Sequence, residues 1–163
     1  MGVRTRLTPL RIGLLAALAA AIAVLAAGSA TARSGVAGAR HMAASATVQT
    51  RKVGKLGTIL VNSRGLTLYM FEPDHQKKVT CKGKCAAAWP PLKLKKGQKP
   101  TAGGSAKKKL LGMNGNVVTY NRWPLYTYLG DLKPGQATGQ RLNNLGGLWY
   151  VLSPSGKVIT KKP

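Results

Sequence analysis

Apolar positions along the chain form one long run and then a series of short ones. Residues 12–27 are almost unbroken Ala, Leu, Ile and Val, preceded by Arg4, Arg6 and Arg11 and followed by Ala30-Thr31-Ala32. A positive segment, an apolar run and a small-x-small step have the form of an export signal. The run of about 16 residues is shorter than the roughly 20 that a spanning helix needs. The pattern predicts a signal peptide over 1–32, cleaved near Ala32, and an extracytoplasmic destination. Residues 33–52 are mostly Ala, Ser, Thr and Gly with scattered Arg and no Phe, Trp or Tyr. Such a composition buries too little apolar surface to offset ordering entropy, which predicts a disordered leader.

Beyond residue 52 the apolar runs are short and repeat. Leu68-Tyr69-Met70-Phe71-Glu72-Pro73-Asp74 returns 57 residues later as Leu125-Tyr126-Thr127-Tyr128-Leu129-Gly130-Asp131. Upstream, Ile59-Leu60-Val61-Asn62-Ser63 aligns with Asn116-Val117-Val118-Thr119-Tyr120. Each half therefore predicts a strand, a turn (62–65; Asn121-Arg122), a second strand and an acid at its exit, which is hairpin chemistry. A third pair follows: residues 148–152, the turn Ser153-Pro154-Ser155-Gly156, and Lys157-Val158-Ile159. One short helix is expected within 82–88, stopped by Pro90-Pro91. The fold class is mainly β. A compact antiparallel sandwich or barrel-like domain over 53–160 is expected, its repeats (about 53–92 and 110–160) covering each other across a pseudo-twofold axis. Residues 93–109 carry Lys93, Lys95, Lys96, Lys99, Lys107, Lys108 and Lys109 with Gly and Pro between them. They predict a solvated loop joining the repeats.

Both Tyr69-x-Phe71-x-x-Asp74 and Tyr126-x-Tyr128-x-x-Asp131 fit Y-x-(F/W/Y)-x-x-D. Around them stand Cys81-x-Gly83-x-Cys85-Ala86-Ala87-Ala88-Trp89-Pro90-Pro91-Leu92, Tyr120-Asn121-x-Trp123-Pro124-Leu125-Tyr126 and Gly147-x-Trp149-Tyr150. In these motifs and their order the chain resembles the bacterial "secreted repeat of unknown function" family, also described as predicted lipoproteins. The resemblance covers roughly 53–159 and implies an extracytoplasmic β-rich domain, with no established activity to carry over. Three departures from the family's usual pattern stand out. The lipobox Cys is missing, Arg122 stands where Gly is usual, and Gln136 and Arg141 replace an acidic residue and a Gly.

Charge narrows the function classes. Lys and Arg number 26 against three acids, a net of +23; loss of residues 1–32 removes three Arg and leaves +20. With Glu72, Asp74 and Asp131 as the whole acidic inventory, two-carboxylate catalysis is poorly supplied. Neither a G-x-S-x-G elbow nor a phosphate-loop motif occurs. No cofactor is expected.

Each remaining candidate has a structural and a functional reading. Tyr69, Phe71, Asp74, Tyr126, Tyr128 and Asp131 are core strands whose Asp closes the next turn, or else aromatic platforms beside a carboxylate; the repetition with unlike loops favours the first. Trp89 and Trp123, each before Pro, plug a small β core or else stack on glycans. In an exported chain Cys81 and Cys85 are expected as a structural disulfide. The alternative is a redox or metal accessory pair with Met70, His75 or Met113 nearby. The lysines of 93–109 would contact anionic wall or membrane-surface polymers without reading nucleic-acid sequence, since no aromatic residues interleave them. The expectation is a non-enzymatic, envelope-associated binding or structural protein.

Overall fold

The computed structural model describes residues 47–74 and 78–163. The predicted signal peptide, most of the predicted leader and His75 lie outside the described residues. Among the described residues nine strands follow in chain order: β1 (Val48–Val53), β2 (Gly57–Asn62), β3 (Tyr69–Phe71), β4 (Leu111–Asn114), β5 (Val117–Tyr120), β6 (Trp123–Pro124), β7 (Asn143–Asn144), β8 (Gly147–Leu152) and β9 (Val158–Ile159). One five-residue helix, α1 (Lys84–Ala88), lies inside the predicted stretch. The pairings are all antiparallel: β1 with β2, β4-β5-β6, and β8 with β3, β7 and β9. Among the described residues the result is a mainly β, sandwich-like domain of several small sheets without a closed barrel.

Strand period explains why the motifs read as unbroken apolar runs. Successive side chains point to opposite faces, and here both faces are buried. Ile59, Tyr69, Phe71, Trp149 and Val151 enter one cluster, while Leu60, Leu68, Met70 and Leu152 enter a second. The same strands thus feed two cores.

The two hairpin turns use different chemistry. In the first, Asn62 Oδ1 accepts the amides of Arg64 and Leu66 (2.9 and 3.0 Å), and Gly65 takes a φ of 79°. The second is tighter, with Asn121 and Arg122 both at positive φ (47° and 71°), the twist that two-residue hairpin loops favour. Arg122 therefore occupies a backbone position that suits Gly. Leu68 N donates to Leu60 O, and Leu125 N donates to Val118 O. The equivalence of the upstream strands is consequently Leu60 with Val118, one residue off the alignment by sequence, because the first turn is one residue longer.

One expectation is corrected. Residues 48–52 are not leader but the body of β1, paired residue for residue with β2 from Val48↔Asn62 to Val53↔Gly57. Composition is silent here because the strand is held by backbone bonds and by one fully buried side chain, Val48. Residues 93–109 run as a loop with exposed lysines, tied to the domain along its length. Leu94 N bonds Asn116 O, Val48 N bonds Thr101 O, Gly103 N bonds Val48 O, and Lys107 N bonds the Tyr120 hydroxyl (2.7 Å). Leu94 and Ala106 pack on the second core. The segment is a strap stitched to β1 and β5, with its lysines turned outward.

Candidate functional site

The repeated tyrosines meet at the centre of the domain. Tyr69 and Tyr126 exchange both backbone bonds, N to O at 2.8 and 2.9 Å, which places the pseudo-twofold axis between them. Their hydroxyls then cross over. Tyr69 donates to Asp131 Oδ2 at 2.6 Å, and Tyr126 donates to Asp74 Oδ2. Each tyrosine thus binds the aspartate of the other repeat. The second oxygen of each carboxylate is held within its own repeat: Asp74 Oδ1 accepts Thr80 N and Oγ1 (2.7 and 2.6 Å), and Asp131 Oδ1 accepts Thr138 N and Oγ1 (2.9 and 2.6 Å). Asp74 and Asp131 are buried, at 0% and 4% exposure. The chain's excess of Lys and Arg over acids suggests lysine partners, but the structure gives them hydroxyl and amide donors.

The rings obey the same symmetry. Trp89 and Trp149 stack at 3.8 Å and 2°; Tyr128 stacks on Trp89 at 4.1 Å and Phe71 on Trp149 at 4.2 Å. Tyr69 meets Trp89 edge-on, and Tyr126 meets Trp149 likewise, both at 5.3 Å. Each such pair adds about 0.5–1.5 kcal/mol beyond area burial. Asn144 ties the two central rings of the column, accepting from Trp89 Nε1 through its side chain and from Trp149 Nε1 through its carbonyl.

Burial, reinforced by the bond to Asp131, pushes the Tyr69 hydroxyl far above the ordinary tyrosine pKa; burial and Asp74 do the same to Tyr126. Tyr120 is raised by burial, partly offset by the Lys107 amide.

Tyr69, Phe71, Asp74, Trp89, Tyr126 and Asp131 are therefore interior, and none offers an open ring face to a sugar or peptide. Tyr128 caps the ring column half-buried, and Trp123 is half-buried against the second core rather than beside Trp89. The partner of Trp89 is Trp149, which the Trp-Pro resemblance of residues 89 and 123 conceals. Thr80, Thr138 and Asn144 were not singled out by sequence; the hydroxyls six or seven residues after each Asp are the signal that was there to find.

Cys81 and Cys85 form a disulfide, with both residues buried in the first core beside Trp89. Near them opens a cleft of about 540 Å³ lined by Lys78, Lys82, Lys93, Asn114, Asn116 and the wall of Cys81. The strap lysines, Lys93, Lys95, Lys96, Lys99, Lys107, Lys108 and Lys109, are all exposed. Of the chain's three acids only Glu72 is exposed. Burying the other two inside the motif leaves the exposed side-chain charge of the described residues almost entirely cationic.

The fold and this interior define a two-repeat β domain whose repeats interlock through crossed Tyr–Asp pairs. The chain belongs to the family described as a secreted repeat of unknown function, whose family model matches residues 50–93 and 113–153, one segment per repeat. No curated protein and no solved structure matches it.

Proposed function

We propose that the protein is a non-enzymatic binding or structural component of the cell envelope, held by its cationic surface to anionic wall or membrane-surface polymers. One observation carries this reading: the repeated carboxylates are consumed inside the fold while seven lysines stand outward on a strap whose backbone is fixed by hydrogen bonds. A tethered strap presents its charges without the ordering cost that a free loop incurs on binding. Two of the three carboxylates, Asp74 and Asp131, are held as buried acceptors, which leaves a poor supply for a two-carboxylate hydrolysis. The Cys81–Cys85 disulfide serves as a staple in this reading.

The test is cosedimentation of the purified protein with isolated cell walls at rising salt. Retention at low salt and release as ionic strength climbs is the expected result. Retention indifferent to salt contradicts the electrostatic mechanism.

A further inference from the structure

The cleft beside the disulfide has a smaller neighbour. Lys109, Gly112, Thr119, Asn121 and Arg122 line a pocket of about 170 Å³ at the other end of the β4–β5 hairpin. The hairpin register pairs Gly112 with Thr119 and Asn114 with Val117. Strand period places these four on one face, and the alternate residues Leu111, Met113, Val118 and Tyr120 pack on the second core. One face of one hairpin therefore lines both pockets. Leu111–Asn114 spans three strand steps, so the pockets lie on the order of 10 Å apart along it. Lysine or arginine lines each of them and neither lining includes an acid. Thr119 Oγ1 is buried in the wall with no hydrogen-bond partner among the described residues. Opposite it Gly112 keeps the strand open, since an added Cβ would stand 2.8 Å from that oxygen.

We propose that this face of the β4–β5 hairpin is a groove for a linear phosphate polymer, with Lys78, Lys82 and Lys93 holding one stretch and Lys109 and Arg122 the next. The proposal rests on the electrostatic reading above and narrows it to a site and a ligand class. Phosphate in a polymer chain keeps its charge across the accessible pH range, and lysine binds it as a point charge. The lining of both pockets contains no aromatic ring on which bases could stack, which favours a chain without bases over single-stranded nucleic acid.

The experiment measures binding of the purified protein to long-chain inorganic polyphosphate, tripolyphosphate, single-stranded DNA and anionic vesicles as salt is varied. The variants are K78Q/K82Q/K93Q in the cleft, K109Q/R122Q in the small pocket, and K95Q/K96Q/K99Q on the strap. The strap and cleft triples lose equal charge, and near-ultraviolet dichroism of the stacked tryptophans checks the fold of each. Long polyphosphate is expected to bind more tightly per phosphate than tripolyphosphate. The slope of log K against log salt should flatten by about 2 in the cleft triple and by about 1.4 in the pocket double, with much less change in the strap triple. Equal flattening in strap and cleft triples overturns the groove and leaves the general electrostatic reading standing. Equal affinity per phosphate for the short and long chains, or preference for DNA or vesicles, also overturns the groove. Absence of binding to every polyanion overturns both readings.

Discussion

Replacing Tyr126 by Phe removes one hydroxyl from a closed polar unit and should be costly. The hydroxyl donates to Asp74 Oδ2, and Asp74 is fully buried. Hydrogen bonds to a charged partner contribute about 1.5–3 kcal/mol, and an acceptor stranded in the interior sits at the upper end. We expect Tyr126→Phe to cost about 2–3 kcal/mol, read as a fall in the urea midpoint with unchanged slope. Tyr69→Phe should cost about 1 kcal/mol more, because the Tyr69 hydroxyl also accepts the Gly139 amide at 3.2 Å. A double-mutant cycle then separates crossed from local pairing. Tyr126→Phe should couple to Asp74→Asn by about 1–3 kcal/mol and to Asp131→Asn by less than about 0.5 kcal/mol. Stronger coupling of Tyr126 to the aspartate of its own repeat would refute the exchange of partners.

Three further outcomes follow from the same geometry. At high pH the unfolded chain ionises its tyrosines near pH 10 while Tyr69 and Tyr126, raised by burial and their aspartates, stay neutral when folded. The native state then binds more protons, so their contribution, complete below about pH 10, declines above it by up to about 1.4 kcal/mol per pH unit for each ring. Phenolate absorbance should show these tyrosines ionising only with unfolding, and the paired Tyr→Phe variants should flatten the alkaline loss; early ionisation would contradict the locked interior. Gly139→Ala would set a Cβ 2.6 Å from the Trp89 ring and 3.0 Å from that of Tyr69. A loss of about 1–3 kcal/mol with a changed near-ultraviolet spectrum is expected from such overpacking, and a neutral melt would count against the ring column as described. Reducing Cys81–Cys85 opens a short loop and should cost about 2 kcal/mol on the loop-entropy account while the dichroism of the fold persists; global unfolding on reduction would show that the bridge holds more than its own turn.

The β class and the duplication were legible because strands buried on both faces give contiguous apolar runs, and the motif repeats at a fixed 57 residues. The exchange of partners was not. Tyr69 and Asp74 lie five residues apart in sequence, which invites a local pairing, and nothing in either repeat alone reports that the axis swaps them. The Trp89–Trp149 equivalence was hidden by loops of unequal length, with Trp89 20 residues after Tyr69 and Trp149 23 residues after Tyr126. The strap and β1 escaped for another reason. Their order comes from backbone bonds to Val48, Asn116 and the Tyr120 hydroxyl, to which composition is blind. The buried acids were the least legible feature, because net charge alone points to lysine partners and cannot report that hydroxyls take their place.

Native-state hydrogen exchange of the Tyr69 and Tyr126 amides bears most directly on the shared core. Both amides cross the axis, so they should open only with the whole domain and give one free energy equal to the global unfolding value. If one repeat's amides exchange through a lower-energy opening while the other's stay protected, the halves own separate interiors and the account fails.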